Sequence, residues 1–390
     1  MKCFKRRWKF RFSAKTAIGW GAILIWLTWK YSWPIVINLS DPQTLGVDKC
    51  PACYGENLCP NFLKKSVVLT RWTRFTILSN LFNAKNMFYA NLKDEEVVLK
   101  KLAHDRELTA FEENACQLAQ RDCDNSGRNV RILTSLWMNS ENRPDFKMLR
   151  TNAPTEILSC AKNQYLVDFL MLRTYLHRLK PEHFVTLTFV NPEPLLAMAF
   201  PASEGWPFPK LHGFCGRFVV FEHVEKSLNE FQNSPWQKRA RLALQVMQLA
   251  FKMTLNEPLR LYLTDWSPDN FAVTSEGQLK LVDLENIILV NKTVTIQEKA
   301  PGWNIEHHSV AFGCEDRKCF SYSVEDLCTH EKSDHNVFGA CQGILNWLLK
   351  DIPNHVDPII QRLIDECAWP SQPGGRVEAA EQLIERLKMM

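Results

Sequence analysis

The sequence lacks internal repeats, low-complexity tracts and a second long uncharged stretch. One long uncharged run occurs, close to the N-terminus, and this excludes a polytopic membrane protein. Among 390 residues there are only 15 glycines and 20 prolines, with 46% hydrophobic and 23% charged residues. Collagen-like and wholly disordered chains are therefore excluded. The length allows two or three domains, or one large domain with insertions.

Outside its first 15 residues, the chain also lacks an excess of basic residues. Its formal net charge of +4 comes from 47 Lys and Arg against 43 Asp and Glu, but residues 1–15 alone hold seven basic residues and no acid. The remainder has 40 basic against 43 acidic residues, a balance of about −3. Nucleic-acid binding has no electrostatic footprint outside this leader, so we predict no nucleic-acid partner.

An apolar segment follows the basic leader. The run from Thr16 to Trp29 is uncharged, and it extends to Ile37, over 22 residues, if Lys30 snorkels toward the headgroups. We predict a cytoplasmic leader at 1–15 and, at 16–37, either a signal anchor or a cleaved signal peptide. The first alternative gives a type II single-pass membrane protein of the Golgi or ER lumen, and the second gives a secreted protein.

Cysteine content favours an oxidising compartment. Of 13 cysteines, Cys3 lies in the leader and an even twelve lie in the body, which predicts disulfides whose connectivity the spacing does not give. In the cysteine-rich segment 38–63, the cluster CPACYGENLC (50–59) could also form half a zinc site or a redox CxxC motif. No second ligand pair is evident and no helix pattern follows, so disulfides are favoured. Sequons occur at Asn38, which lies close to the predicted membrane segment, and at Asn291, which lies in a predicted loop and could be glycosylated, so we predict a glycoprotein.

The body alternates strand-like and helical patterns. Strand-like alternation over 65–100 predicts a small antiparallel sheet, and residues 122–153 are polar and turn-rich, as in an insertion. Further strands are predicted at 209–214, at 218–224, on both sides of a loop within 259–273, and at 280–290. Helices are predicted at 104–121, 155–179, 236–255 and 376–389. This order indicates a two-lobed α+β arrangement.

One segment has the residues that phosphoryl transfer requires. It reads Asp265-Trp-Ser-Pro-Asp-Asn270 and is followed 13 residues later by Asp283. Such a site needs a carboxylate for the attacking hydroxyl, oxygen ligands for metal ions and a lysine for the phosphates. Asp265 suits the catalytic role, Asn270 and Asp283 suit the metal roles, and Lys100 in VVLK suits the phosphate role. Each residue alone is compatible with a turn or a strand end, but their joint spacing favours a site.

This set resembles protein kinases. D-x-x-P-x-N looks like the kinase catalytic loop, VVLK looks like the V-A-I-K strand, and FVVFEHV, which contains Glu222, looks like the strand and hinge that bind adenine. The resemblance implies a bilobed α+β kinase-like fold, with an N-lobe at 64–222, an insertion at about 122–190 and a C-lobe at 223–390. It also implies ATP with Mg²⁺ or Mn²⁺ as cofactors, and nucleotide contacts from Lys100 and Glu222.

A carboxylate must also pair with Lys100 in this fold, and two are available. Glu107 lies in an early helix, seven residues after the lysine. Glu193 lies in NPEPLLAMAF, directly before the strand at 209–214, where kinase topology places the helix with the pairing glutamate. We therefore favour Glu193.

A closer resemblance lies within the kinase superfamily. DKCPACYGENLC, VVLKKL, NPEP-LL, EGWPF, CGR, PWQKR, DNFAV and the spacing of the late cysteines resemble the divergent protein kinase domain 2 family, from about Lys49 to the C-terminus. The resemblance implies a kinase-like protein of the Golgi or one that is secreted. Its partner would be a luminal or extracellular protein, a glycan acceptor or a receptor.

The departures from active kinases bear on catalysis. There is no glycine between Gly55 and Gly127, so the glycine-rich phosphate loop is missing. Leu263-Thr264 replaces the usual His-Arg, and D-F-G reads Asp283-Leu-Glu285. Two functions remain: a kinase that phosphorylates a hydroxyl, and a pseudokinase that acts as a secreted or membrane-tethered binding protein. A disulfide-rich module without a nucleotide site is disfavoured by the complete Lys–Asp–Asn–Asp set.

Overall fold

The structure is a computed structural model. It describes residues 37–71, 87–119, 126–139, 158–160, 164–293, 299–310 and 321–390. The predicted leader and nearly all of the predicted signal segment lie outside these ranges. Within them, no helix has both the length and the apolar character needed to cross a membrane.

A five-stranded antiparallel sheet forms the N-terminal part, in the order β1-β2-β3-β6-β5. Its strands are β1 (Val67–Leu69), β2 (Met87–Leu92), β3 (Glu95–Lys100), β5 (Leu211–Cys215) and β6 (Phe218–Glu222). Side chains alternate between the faces of a strand, so Val97 and Leu99 point into the core on one face while Lys100 lies on the other. Lys100 is paired with Val219 of β6 in this ladder.

Two three-stranded sheets follow, ordered β10-β9-β7 and β4-β11-β8. Their strands are β4 (Leu158–Ser159), β7 (Lys226–Ser227), β8 (Leu259–Leu263), β9 (Phe271–Val273), β10 (Leu279–Leu281) and β11 (Ile287–Asn291). The predicted single strand at 280–290 is therefore wrong: β10 and β11 are separate strands. The residues between them include Asp283 and Glu285, which lie in an irregular turn rather than in a ladder.

The described residues also form thirteen α-helices. They are α1 (Pro42–Leu45), α2 (Cys59–Leu63), α3 (Asp105–Ala119), α4 (Ser126–Asn139), α5 (Gln164–Leu176), α6 (Pro181–Val190), α7 (Glu193–Ala199), α8 (Trp236–Leu255), α9 (Val324–Thr329), α10 (His335–Gly339), α11 (Asn346–Leu348), α12 (Ile359–Ala368) and α13 (Gly375–Lys388). A π-helical turn, Ala340–Leu345, joins α10 to α11.

The long helices confirm the predictions at 104–121, 236–255 and 376–389, and α8 buries an apolar face that includes Ala243, Val246 and Ala250. The turn-rich prediction for 122–153 is wrong where α4 forms. The helix predicted at 155–179 is shorter, because its first residues include the strand β4, which pairs in parallel with β11. The segment predicted as an insertion therefore supplies a strand to the C-terminal part.

Disulfides connect distant parts of the chain. The bonded pairs are Cys50–Cys53, Cys59–Cys215, Cys160–Cys328 and Cys341–Cys367. Cys116 is also disulfide-bonded, so all nine body cysteines in the described ranges are oxidised. Cys123, Cys314 and Cys319 lie outside the described residues. The CPAC motif closes on itself rather than pairing with a distant cysteine.

Candidate active site

Lys100 lies at the centre of the site. Its Nζ atom is 2.5 Å from Glu193 Oε1 and donates a hydrogen bond to the Val282 carbonyl at 2.9 Å. The two charged side chains are 17% and 5% exposed, so the pair is largely shielded from water. Lys100 thus joins the five-stranded sheet to α7 and to the residue directly before Asp283.

The structure pairs Lys100 with Glu193 and not with Glu107. Glu193 is the first residue of α7, and α7 contacts β5 of the sheet that carries Lys100. Glu107 has a local role, because its carboxylate accepts a hydrogen bond from the His104 backbone at 2.7 Å at the start of α3. A glutamate three residues into a helix commonly satisfies free amides at the N-terminus in this way.

Negatively charged side chains outnumber positively charged ones around Lys100. Burial acts to lower the pKa of Lys100, but Glu193, Asp283 and Glu285 outweigh it and the pKa is raised. Burial, together with the charges of Asp283 and Glu285, raises the pKa of Glu193 to about 7, although Lys100 acts to lower it. Three carboxylates therefore surround one lysine, and this excess negative charge suits a site that receives a cation.

Two neighbouring strand pairs bring Asp265, Asn270 and Asp283 together. Asn270 directly precedes β9 and Asp283 lies two residues after β10, and these strands form an antiparallel hairpin in which Leu281 is paired with Phe271. The Val282 amide donates to the Asn270 carbonyl at 2.8 Å. The hairpin therefore explains the 13-residue spacing of the two predicted metal ligands.

Hydrogen bonds set the shape of the loop that begins at Asp265. The Asn270 side-chain amide donates to the Asp265 carbonyl at 3.1 Å, which leaves the amide oxygen as the atom that can ligate a cation. Thr264 donates to the Asn286 carbonyl through its amide at 2.8 Å and its hydroxyl at 3.0 Å. Asp265 itself is exposed, as a group that meets an acceptor hydroxyl would have to be.

The same loop is anchored from beneath by α10 and the π-helical turn. Asn336 accepts a hydrogen bond from the Leu263 amide at 3.0 Å and donates to the Leu261 carbonyl at 2.7 Å. The His335 imidazole is 2.8 Å from the Leu263 carbonyl. Trp266 is buried against Gly339 and Gly343, where an added Cβ would lie 2.0 Å from its atoms. No local sequence signal links these residues to the loop.

Glu222 lies at the end of β6, outside the Lys100 network. Both of its carboxylate oxygens are 2.6 Å from Lys280 Nζ of β10, and one also accepts a hydrogen bond from the Lys210 amide at 2.8 Å. The side chain predicted to contact the nucleotide therefore bridges the five-stranded sheet and the β9–β10 hairpin. Lys280 was not anticipated from the sequence, although its position three residues before Asp283 is a usable signal.

The predicted metal ligands are suited to a nucleotide-bound ion. No group of three or more His, Cys, Asp or Glu side chains in the described ranges could hold a metal ion alone. Asn270 and Asp283 supply one amide oxygen and one carboxylate. Mg²⁺ is commonly bound in this way, by one or two side chains together with phosphate oxygens and water. The donor set therefore fits Mg²⁺ or Mn²⁺ with ATP.

A buried Lys–Glu pair, joined to a strand–loop–strand unit with Asp, Asn and Asp, defines a kinase-like domain. The family model for the protein-kinase domain of FAM69 matches residues 185–370. Human divergent protein kinase domain 2A is 34% identical over 90% of this chain and 89% of its own length. The mouse protein of that name is also 34% identical, over 89% of this chain and 87% of its own length.

The chain belongs to the divergent protein kinase domain 2 family. Human divergent protein kinase domain 2B is more distant, at 26% identity over 95% of this chain and 92% of its own length. Among solved structures, a complex of Rv3197 with erythromycin from Mycobacterium tuberculosis covers 52% of this chain and 42% of that chain. Its 18% identity and TM-score of 0.25 are too low to bear on fold or ligand.

Proposed function

We propose that this protein acts in the secretory pathway and binds ATP with Mg²⁺ or Mn²⁺. It transfers the γ-phosphoryl group to a hydroxyl of a luminal or extracellular protein or glycan. The proposal rests chiefly on one observation: the Lys100–Glu193 pair, buried and 2.5 Å apart, lies against the backbone that leads into Asp283.

Each side chain has a role in this proposal. Lys100, oriented by Glu193, holds the phosphates, and Asn270 and Asp283 would hold the cation, which would supply positive charge beside the phosphate oxygens. Asp265 orients the acceptor hydroxyl and accepts its proton. Glu222 places the hinge strand against the C-terminal part, where the adenine would lie.

The test is a thermal shift measured on the purified luminal part with ATP and each divalent cation, followed by a phosphate-turnover assay. We expect a shift that requires the metal and is lost in Asp283→Asn. A matched control is Asp269→Asn, in the same loop, because Asp269 is exposed and accepts a hydrogen bond from Asn229 rather than facing the predicted cation site. No shift with any divalent cation would refute the nucleotide proposal.

A pseudokinase is the second candidate, and two observations favour it. The chain has no glycine between Gly55 and Gly127 to form a phosphate-binding loop before Lys100. Glu285 also puts a carboxylate where active kinases have glycine. A metal-dependent thermal shift without phosphate turnover on any acceptor tested would favour a binding or signalling role.

The compartment has its own test. Expression of the full chain in cultured cells should give a protein that glycosidase treatment shifts to lower mass, through Asn291 or Asn38. Protease protection in microsomes should show the body on the luminal side. A body digested by external protease in intact microsomes would contradict the secretory assignment.

A further inference from the structure

Asn191 connects three parts of the site. Its side-chain oxygen accepts a hydrogen bond from the Glu193 amide at 2.9 Å, at the start of α7. Its side-chain nitrogen donates to Glu285 at 2.8 Å and lies 3.4 Å from the carbonyl of Leu102, just after β3. Asn191 is 1% exposed, so these bonds form in a shielded environment where they are strong.

Glu285 extends this connection to the predicted metal ligand. While its carboxylate accepts from Asn191, its backbone amide donates to Asp283 Oδ1 at 3.3 Å. The contact between α7 and the turn after β10 therefore continues to the carboxylate of Asp283. On the other side of the same turn, Lys100 donates to the Val282 carbonyl at 2.9 Å.

We infer that Asn191 and Glu285 are positioning residues, which hold Asp283 in place relative to the Lys100–Glu193 pair. A glycine at position 285 would leave this turn free to adopt many backbone conformations, and a glutamate bound to Asn191 removes that freedom. The Glu285 carboxylate then has a structural role: it keeps α7 in contact with the turn that contains Asp283 when no ligand is bound. The use of this assembly for nucleotide binding rests on the proposed function.

Four variants separate the hydrogen bond from the charge. Glu285→Gly removes both, whereas Glu285→Gln removes the charge and keeps an acceptor for Asn191. Asn191→Asp keeps the acceptor for the Glu193 amide but can no longer donate to Glu285. The double variant Asn191→Asp with Glu285→Gln reverses donor and acceptor and preserves the net charge of the pair.

The primary readout is amide hydrogen exchange in the protein without nucleotide, over 193–199 and 279–286. Glu285→Gly and Asn191→Asp should each speed local exchange about tenfold or more, since hydrogen bonds to charged groups are among the stronger ones. Glu285→Gln, which keeps a neutral acceptor for Asn191, should fall between these variants and the wild type. The reversed pair should recover most of the loss, but not the contact with Leu102.

The inference is overturned if Glu285→Gly exchanges at the wild-type rate, or if the reversed pair exchanges as fast as Asn191→Asp alone. A nucleotide arm tests the proposed function separately: the ATP- and metal-dependent thermal shift should fall in Glu285→Gly and persist in Glu285→Gln. If the wild type shows no such shift while the exchange pattern holds, the positioning role stands and the nucleotide proposal fails.

Discussion

The site has two halves that are held in different ways. In the lysine half, formed by Lys100, Glu193, Asn191 and Glu285, buried and partly buried side chains bind one another through charge-assisted hydrogen bonds. In the loop half, which runs from Asp265 to Asn270, the first residue is exposed and the backbone is bound from beneath. The lysine half should therefore respond to changes of charge, and the loop half to changes of volume under it.

The largest expected effect comes from removing the cation of the lysine half. Lys100→Met leaves Glu193 buried without its partner and should lower the free energy of unfolding by about 3–5 kcal/mol. Urea denaturation measures the loss. The matched control is Lys101→Met, which breaks only a surface pair with Asp105, whose side chain is 87% exposed.

The apolar double variant Lys100→Met with Glu193→Leu tests whether this loss comes from leaving Glu193 unpaired. It removes both charges, so it should recover much of the stability that Lys100→Met loses. Equal losses in Lys100→Met and Lys101→Met would show that the lysine half is not held by its buried pair.

The loop half should be destabilised by overpacking beneath it. In Gly343→Ala the new Cβ would lie 2.0 Å from the Trp266 carbonyl oxygen, a backbone atom that cannot move alone. We expect a loss of about 1–3 kcal/mol, as for other overpacked sites. In Gly375→Ala the Cβ would lie 2.9 Å from the mobile end of Glu366, so this control should lose far less. Similar unfolding midpoints for the two variants would contradict the packing account.

Glu193 of the lysine half and His335, which lies beneath the loop half, should respond to pH with opposite signs. The pKa of Glu193 is raised from 4.5 to about 7, so its contribution to stability is full below pH 4.5 and is lost as pH rises through 7. Burial is the main cause that lowers the pKa of His335 from 6.5 to about 4, so its contribution is present above pH 6.5 and is lost as pH falls toward 4.

Unfolding measured between pH 5 and 6, where both groups titrate almost fully in one state only, tests this contrast. The stability advantage of the wild type over Glu193→Gln should shrink as pH rises, and its advantage over His335→Gln should grow. Each slope should approach 1.4 kcal/mol per pH unit, about the value for one titrating group. Slopes of the same sign would mean that the halves are not distinguished by their titrating groups.

The smallest effect is expected at the Glu222–Lys280 bridge between the two parts. The side chains are 29% and 17% exposed, so Glu222→Gln should cost less than about 1 kcal/mol. Lys280→Met removes the positive partner of the same ion pair and should have a similarly small cost. A loss as large as that of Lys100→Met would remove the distinction between the buried pair and the bridge.

Much of the loop half could be predicted because its signals are local. Apolar strands flank Asp265-Trp-Ser-Pro-Asp-Asn270, and a hairpin of short strands places Asp283 beside Asn270. The sequence also indicated Lys100, through the strand that ends at it, and the resemblance to kinases indicated Glu193, in the helix expected before the strand at 209–214. These features depend on residues close together in the chain, where spacing and propensity are informative.

The rest depends on pairings between distant residues. Asn191 and Glu285 are 94 residues apart, and Leu263 and Asn336 are 73 apart. The strand β4 is two residues long and has no alternating pattern to reveal it, so its pairing with β11 could not be predicted. The helix α4 was missed for another reason: it lies within a polar region whose turn-forming residues concealed it.

The bond between Cys160 and Cys328 has a consequence for the order of events during synthesis. The two residues are 168 positions apart, so at about 5–20 residues per second Cys160 emerges roughly 10–30 s before its partner. Several other cysteines are available to it during that time. β4 ends one residue before Cys160 and pairs with β11, and α9, which holds Cys328, also contacts β11. We therefore expect the pairing of β4 with β11 to bring the two cysteines together before their bond becomes permanent.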